Sequence, residues 1–159
     1  MSMQSQIDSG REPKLLMPAL APLRNAFLLL YWPLIRASAA CIVIVHGILK
    51  LTGPGFTGVA SYMAKLGAEP AFAAAAIVIL LETVGAICIF LGLFTRFFAA
   101  GLAIEMAVVI YAVQFKNGFI FSVPGGGWEF PLLLGLVFLA IAMRGGGPLS
   151  LDRRIGREL

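Results

Sequence analysis

Residues 71–94, AFAAAAIVILLETVGAICIFLGLF, are followed across Thr95-Arg96 by residues 97–115, FFAAGLAIEMAVVIYAVQF, and each run contains one acid, Glu82 or Glu105. A membrane-crossing helix needs about 20 apolar residues, and both runs have that length. Joined by two residues, they can only fold back on one another as an antiparallel hairpin. A charged side chain at the bilayer centre costs roughly 2.5–3.5 kcal/mol on insertion scales, so it survives where it faces a partner, water or a ligand. The pattern specifies an all-α membrane bundle with a polar interior.

The rest of the chain extends this reading. A further apolar run covers about 29–49 and is interrupted by Arg36 and His46; a shorter one covers about 129–143 and opens on Glu129. Four spans (29–49, 71–94, 97–115 and 129–143) thus form one transmembrane domain over 29–144. Residues 1–28 and 145–159 are expected to be cytoplasmic tails. In the first long loop, Phe56, Val59, Ala60, Met63 and Leu66 recur at helical spacing opposite Thr57, Ser61 and Lys65. That pattern predicts a short helix lying in the interface. The loop 116–128 carries Gly118, Pro124 and Gly125-Gly126-Gly127 and reads as irregular. Trp32 and Trp128 sit near span ends, where interfacial anchors belong.

Composition agrees. The chain has 159 residues, 60% hydrophobic and 13% charged, against about 25% charged in soluble domains. A net charge of +4 does not point to nucleic acid, because the basic residues are not clustered with exposed aromatics. They flank the spans instead. The tails and the Arg96 turn hold eight Lys/Arg, the other two loops three. By the positive-inside rule both termini face the cytoplasm, and the expected location is the inner membrane of the cell. Cys41 and Cys88 form no CxxC and no zinc or haem motif. Their depths, about 18 and 9 Å from the cytoplasmic face at 1.5 Å rise per residue, exclude a disulfide.

The same rise puts Arg36 at ~10 Å, Glu105 at ~12 Å and Glu82 at ~18 Å. An Arg36–Glu105 pair with Glu82 alongside is the expected core of the site. The faces are compatible: Arg36, Ala40, Val43, Gly47 and Lys50 form one seam, and Ala75, Glu82, Gly85 and Ala86 another. Small residues allow close helix contact in lipid. Such a pair serves equally well as structural glue that fixes helix register. The third acid tilts the balance to function, as a group that relays protons or grips a polar head. His46 and Lys50, one turn apart, and Glu129 are candidates at the outer surface. A lone histidine is more often a packing residue, and Lys50 is expected to snorkel to the headgroups. No metal site is expected.

His46-Gly47-Ile48-Leu49-Lys50-Leu51, Tyr62-Met63-Ala64-Lys65-Leu66-Gly67, Glu82-Thr83-Val84-Gly85, Leu91-Gly92-Leu93-Phe94-Thr95-Arg96, Gly118-Phe119 and Trp128-Glu129-Phe130-Pro131-Leu132-Leu133 follow one another at spacings that resemble the DoxX family of small four-span membrane proteins. Leu149-Ser150-Leu151-Asp152 adds to the match, which runs from Leu34 to Asp152. The resemblance implies a four-helix membrane bundle linked to quinone-reducing thiosulfate oxidation, thiol and oxidative stress, or quinone and catechol detoxification. It carries over Arg36, Glu82, Arg96 and Glu129, with His46 and Lys50 in its first-helix segment. Glu105 rests on depth and facing alone.

With no flavin motif, cluster ligands or dithiol in sequence, no intrinsic cofactor is expected. The chain reads as a subunit of a membrane oxidoreductase system that holds a quinone or similar apolar redox molecule. Its electrons would come from a soluble or membrane redox partner; a homo-oligomer is compatible. The alternative is a non-enzymatic scaffold that anchors such a partner, its buried charges purely structural. Transport ranks last, because inverted repeats and broken helices are not apparent.

Overall fold

The computed structural model describes residues 16–157. Helix α1, Ala21–Thr52, follows a 3-10 turn at Pro18–Leu20. A short helix α2, Gly55–Lys65, leads to α3, Ala71–Leu91, and α4, Thr95–Asn117. Helix α5, Glu129–Arg144, and a single-turn helix α6, Leu151–Ile155, complete the fold. The chain is a helical membrane protein: Pro18–Thr52, Ala71–Leu91 and Thr95–Asn117 are each long and apolar enough to cross a bilayer. Helix α5 has 16 residues and packs antiparallel along α4.

Helix α1 begins well before the expected residue 29. Pro22 occupies the first turn, where its missing N–H is one that no helix would use. Residues 18–28 are therefore helical, not tail. The remainder of the expected N-terminal tail, residues 1–15, lies outside the described residues. Residues 145–157 are not a free tail either. Ser150 and Asp152 are buried and fold against the α3–α4 turn.

That turn has a clear cause. Gly92 adopts φ +72°, donating its N–H to Ile89 O while Leu93 N–H reaches Cys88 O. This is the Schellman arrangement, and it ends α3 at Leu91. A Cβ on Gly92 would lie 2.5 Å from Arg36 Nη1 and 2.8 Å from Ser150 Cα, so both the backbone angle and the space require glycine.

The core is built from small and branched residues facing inward: Ala40, Val43, Ala86, Ile89, Leu102 and Phe138 are essentially inaccessible. A second cluster joins Val59 and Ala60 of α2 to Ala75 of α3, so the helical spacing read in the first loop marks a packed helix. Trp32 is also buried; its Nε1 donates to Gly145 O at 2.9 Å, and the Arg144 guanidinium stacks 4.5 Å above its ring. The expected interfacial anchor is a core residue. The loop 118–128 is tied down: Asn117 Nδ2 donates to the carbonyls of Gly125 and Gly126, each at 3.0 Å, and Phe119 packs edge-on against Trp128.

Candidate functional site

Two charge clusters lie at different levels of the bundle, one at the α3–α4 turn and one near the middle of α3 and α4. At the Arg96 end, Asp152 is 2% exposed and accepts hydrogen bonds from Phe94 N (2.7 Å), Thr95 N (3.0 Å) and Thr95 Oγ1 (2.6 Å). Its own N–H returns to Gly92 O. A carboxylate at the start of α4 satisfies otherwise orphaned donors and complements the helix dipole. Arg36 donates to the carbonyls of Gly146, Leu149 and Phe90 and lies within electrostatic reach of Asp152. Arg96 donates to the carbonyls of Ala142, Met143 and Arg144, capping α5. These arginines stitch the C-terminal segment to the bundle.

The expected Arg36–Glu105 pair is therefore not formed. The depth estimate set residue 29 level with the α3–α4 turn. Arg36 itself stands at that level, against Gly92 and the carbonyls of Gly146 and Leu149, and the earlier turns of α1 extend past it. There the non-helical backbone of residues 145–149 offers carbonyls that need donors.

Glu82 finds a different cation. Lys50 Nζ makes an ion pair with Glu82 Oε1. A helical Cα–Cβ bond points toward the N-terminus of its helix, which turns Lys50 back into the bundle and not out to the headgroups. Close approach makes the pair possible. A Cβ on Gly47 would lie 2.7 Å from Thr83 Cγ2 and 2.8 Å from Glu82 O, so α1 and α3 touch backbone to backbone here. Gly47→Ala is expected to push the helices apart and cost roughly 1–3 kcal/mol, as overpacking does; thermal unfolding in detergent measures it.

Glu82 lies in a π-helical turn, Leu81–Gly85, in which Thr83 Oγ1 donates back to Ile79 O at 2.5 Å. A second π turn, Ile110–Gln114, follows Glu105 on α4. Single π turns inside α-helices mark functional sites disproportionately often. Sequence periodicity gives no sign of either.

Glu105 is 7% exposed and faces the charges of Glu82 and Lys50. No donor group reaches either of its carboxyl oxygens or Glu82 Oε2, all of them buried; the hydrogen bond open to them is one between the two carboxyls, which a proton on either would make. Native structures leave few buried polar atoms in that condition. Glu105 borders space: a cavity of about 580 Å³ is walled by Glu105, Lys50, the α2 residues Tyr62 and Lys65, and Val109 and Ala112 of α4. That volume falls within the range of small-molecule sites, which combine apolar walls with a few polar groups.

The other candidates stand apart. His46 is exposed on α1, and Glu129 is half-buried at the start of α5; neither borders the cavity. Cys41 and Cys88 are free. Among the described residues no group of three or more His, Cys, Asp or Glu could hold a metal ion.

Fold and site together define a helical membrane protein with a buried acid at the wall of an apolar cavity and a second acid beside it. The chain belongs to the DoxX family, whose pattern matches residues 31–114. It is similar to the inner membrane protein YphA of Escherichia coli (strain K12), 33% identical over 132 residues that cover 75% of this chain and 86% of that protein. It is also similar to a Bacillus subtilis (strain 168) protein named "Putative oxidoreductase CatD", 30% identical over 119 residues, 75% of this chain and 82% of that one. No solved structure matches.

Proposed function

We propose that this protein is the membrane subunit of an oxidoreductase system and holds a quinone, or an apolar ring of similar chemistry, in the cavity beside Glu105. One observation carries the reading: a buried carboxyl group that no donor side chain or amide reaches, with a second acid beside it, at the wall of an apolar space of about 580 Å³. A quinone takes up two electrons and two protons to become a quinol; the electrons come from a partner oxidoreductase. Glu105 then accepts a hydrogen bond from a ligand hydroxyl and passes protons, while Lys50 holds Glu82 beside it. Two acids share one ammonium, so a single added proton makes the cluster neutral, the condition in which a low-dielectric site is least costly. The name of the Bacillus subtilis relative agrees with this class.

In this reading α5 is a fourth span, tilted little, and the Lys/Arg excess at the Arg96 end puts both termini in the cytoplasm. Scaffolding describes the Arg36–Asp152 cluster, whose polar atoms are largely consumed by backbone.

The test is ligand-dependent stabilisation. A series of short-chain benzoquinones and naphthoquinones should raise the thermal midpoint of the detergent-purified protein in proportion to ln(1 + [L]/Kd). Glu105→Gln should fold and lose most of that rise. A series that never moves the midpoint of the folded wild type overturns the reading.

A further inference from the structure

The surroundings of the acid pair are unequal on its two sides. Toward the α2 end the cavity begins at Glu105 and runs past Val109 and Ala112 to Ser61, Tyr62 and Lys65, all three of them exposed. Toward the Arg96 end, Val43, Ala86, Ile89, Ala99, Leu102 and Phe138 have at most 1% exposure. Behind that apolar layer, Arg36 is bonded to three carbonyls and Asp152 to three donors. A proton would have to cross packed hydrocarbon and then an already satisfied hydrogen-bond network to reach Glu82 or Glu105 from there. Apolar layers of this density hold no water.

We propose that the cavity is a one-sided access route: Glu105 and Glu82 exchange protons and receive water-borne solutes only through the α2 end, while the Arg96 end is sealed. The direction of access follows from packing, whereas the identity of what enters rests on the quinone reading above. The groups that face Glu105 fit a route of this polarity. Glu82 of α3 and Lys50 of α1 face it, Tyr62 and Lys65 of α2 line the exposed side of the cavity, and α5 contributes no charge between Glu129 and Arg144. Protons taken up or shed by a bound quinone and quinol pair would enter and leave on the α2 side, whichever face receives the electrons.

Cysteine accessibility tests this. In a Cys41→Ser/Cys88→Ser background, Ala112→Cys and Val109→Cys put thiols on the cavity wall, and Ala86→Cys and Ala99→Cys put them in the apolar layer. Vesicles of both orientations, from cells or by reconstitution, are treated with a charged, membrane-impermeant thiol reagent. Cavity-wall thiols should react about tenfold or more faster from the α2 face, since reactivity follows thiolate exposure. The layer thiols should resist from both faces. Reaction of either cavity-wall thiol from the Arg96 face, rapid reaction of Ala86→Cys or Ala99→Cys in variants that keep the parent thermal midpoint, or no reaction of the wall thiols from any face, overturns the proposal. Protection by a short-chain naphthoquinone reports separately on the ligand. One-sided labelling without protection leaves the route standing and removes the quinone.

Discussion

Lys50→Met should lower the thermal midpoint of the purified protein by roughly 6–12 °C, the equivalent of about 3 kcal/mol in a chain of this size. Methionine keeps the length and flexibility of the side chain, so packing against Gly47 and α3 is largely retained. What disappears is the cation that pairs with Glu82 and faces Glu105. Glu82 is 4% exposed, and no donor side chain or amide reaches its second oxygen or either oxygen of Glu105 even in the wild type. Removing one member of a buried pair leaves the other as an uncompensated charge, and that is the costly operation. The figure sits at the lower end of the usual range because 32% of the Lys50 side chain remains accessible, so part of its interaction is already screened.

The second half of that experiment separates charge from shape. Adding Glu82→Gln to Lys50→Met should recover most of the lost stability, because the amide is neutral and close in volume. The coupling energy of the cycle should be favourable and above about 1 kcal/mol, within the range for contacting groups. A Lys50→Met protein as stable as the wild type, or a cycle whose two changes simply add, would mean that the ion pair is incidental.

The hairpin of α3 and α4 is legible in sequence because two long apolar runs with a two-residue joint leave one topology. The inward faces of Glu82 and Glu105 are legible too, since small residues share their side of each helix. The pairing is another matter. Depth counting needs the residue that stands level with the opposing turn, and in α1 that is Arg36, well inside a helix whose first turns extend past the bundle. Lys50 stands at a helix end, where the familiar expectation is a headgroup contact; only the tilt of its Cα–Cβ bond and the close approach at Gly47 send it to Glu82. The π turns add a residue to a helical turn without altering the apolar pattern. Asp152 hides in a short charged stretch that resembles a solvated tail. The pairing of Ser150, which accepts from Arg153 N, with an acid two residues on was the local signal of a capped turn.

Asp152→Ala is expected to be at least as damaging as Lys50→Met, about 3–5 kcal/mol, but without effect on the cavity. The side chain accepts from two backbone amides and one hydroxyl at the start of α4. Its loss leaves those donors buried and unpaired and removes a negative charge from the helix N-terminus. It also deprives the Arg36 guanidinium of its nearby opposite charge, in a place where water cannot replace it. Asp152→Asn keeps an acceptor oxygen and should cost about half as much, because the charge-assisted share is lost and the geometry kept. Since the apolar layer separates the two ends, the variant should retain the quinone-dependent rise in midpoint measured from its own lower baseline. Limited proteolysis should cut residues 145–157 sooner, because that segment is held chiefly by Asp152 and Arg36. If Asp152→Ala instead abolished ligand stabilisation in protein that still folds, the two clusters would be coupled through the core. The Arg96 end could then no longer be regarded as a structural seal.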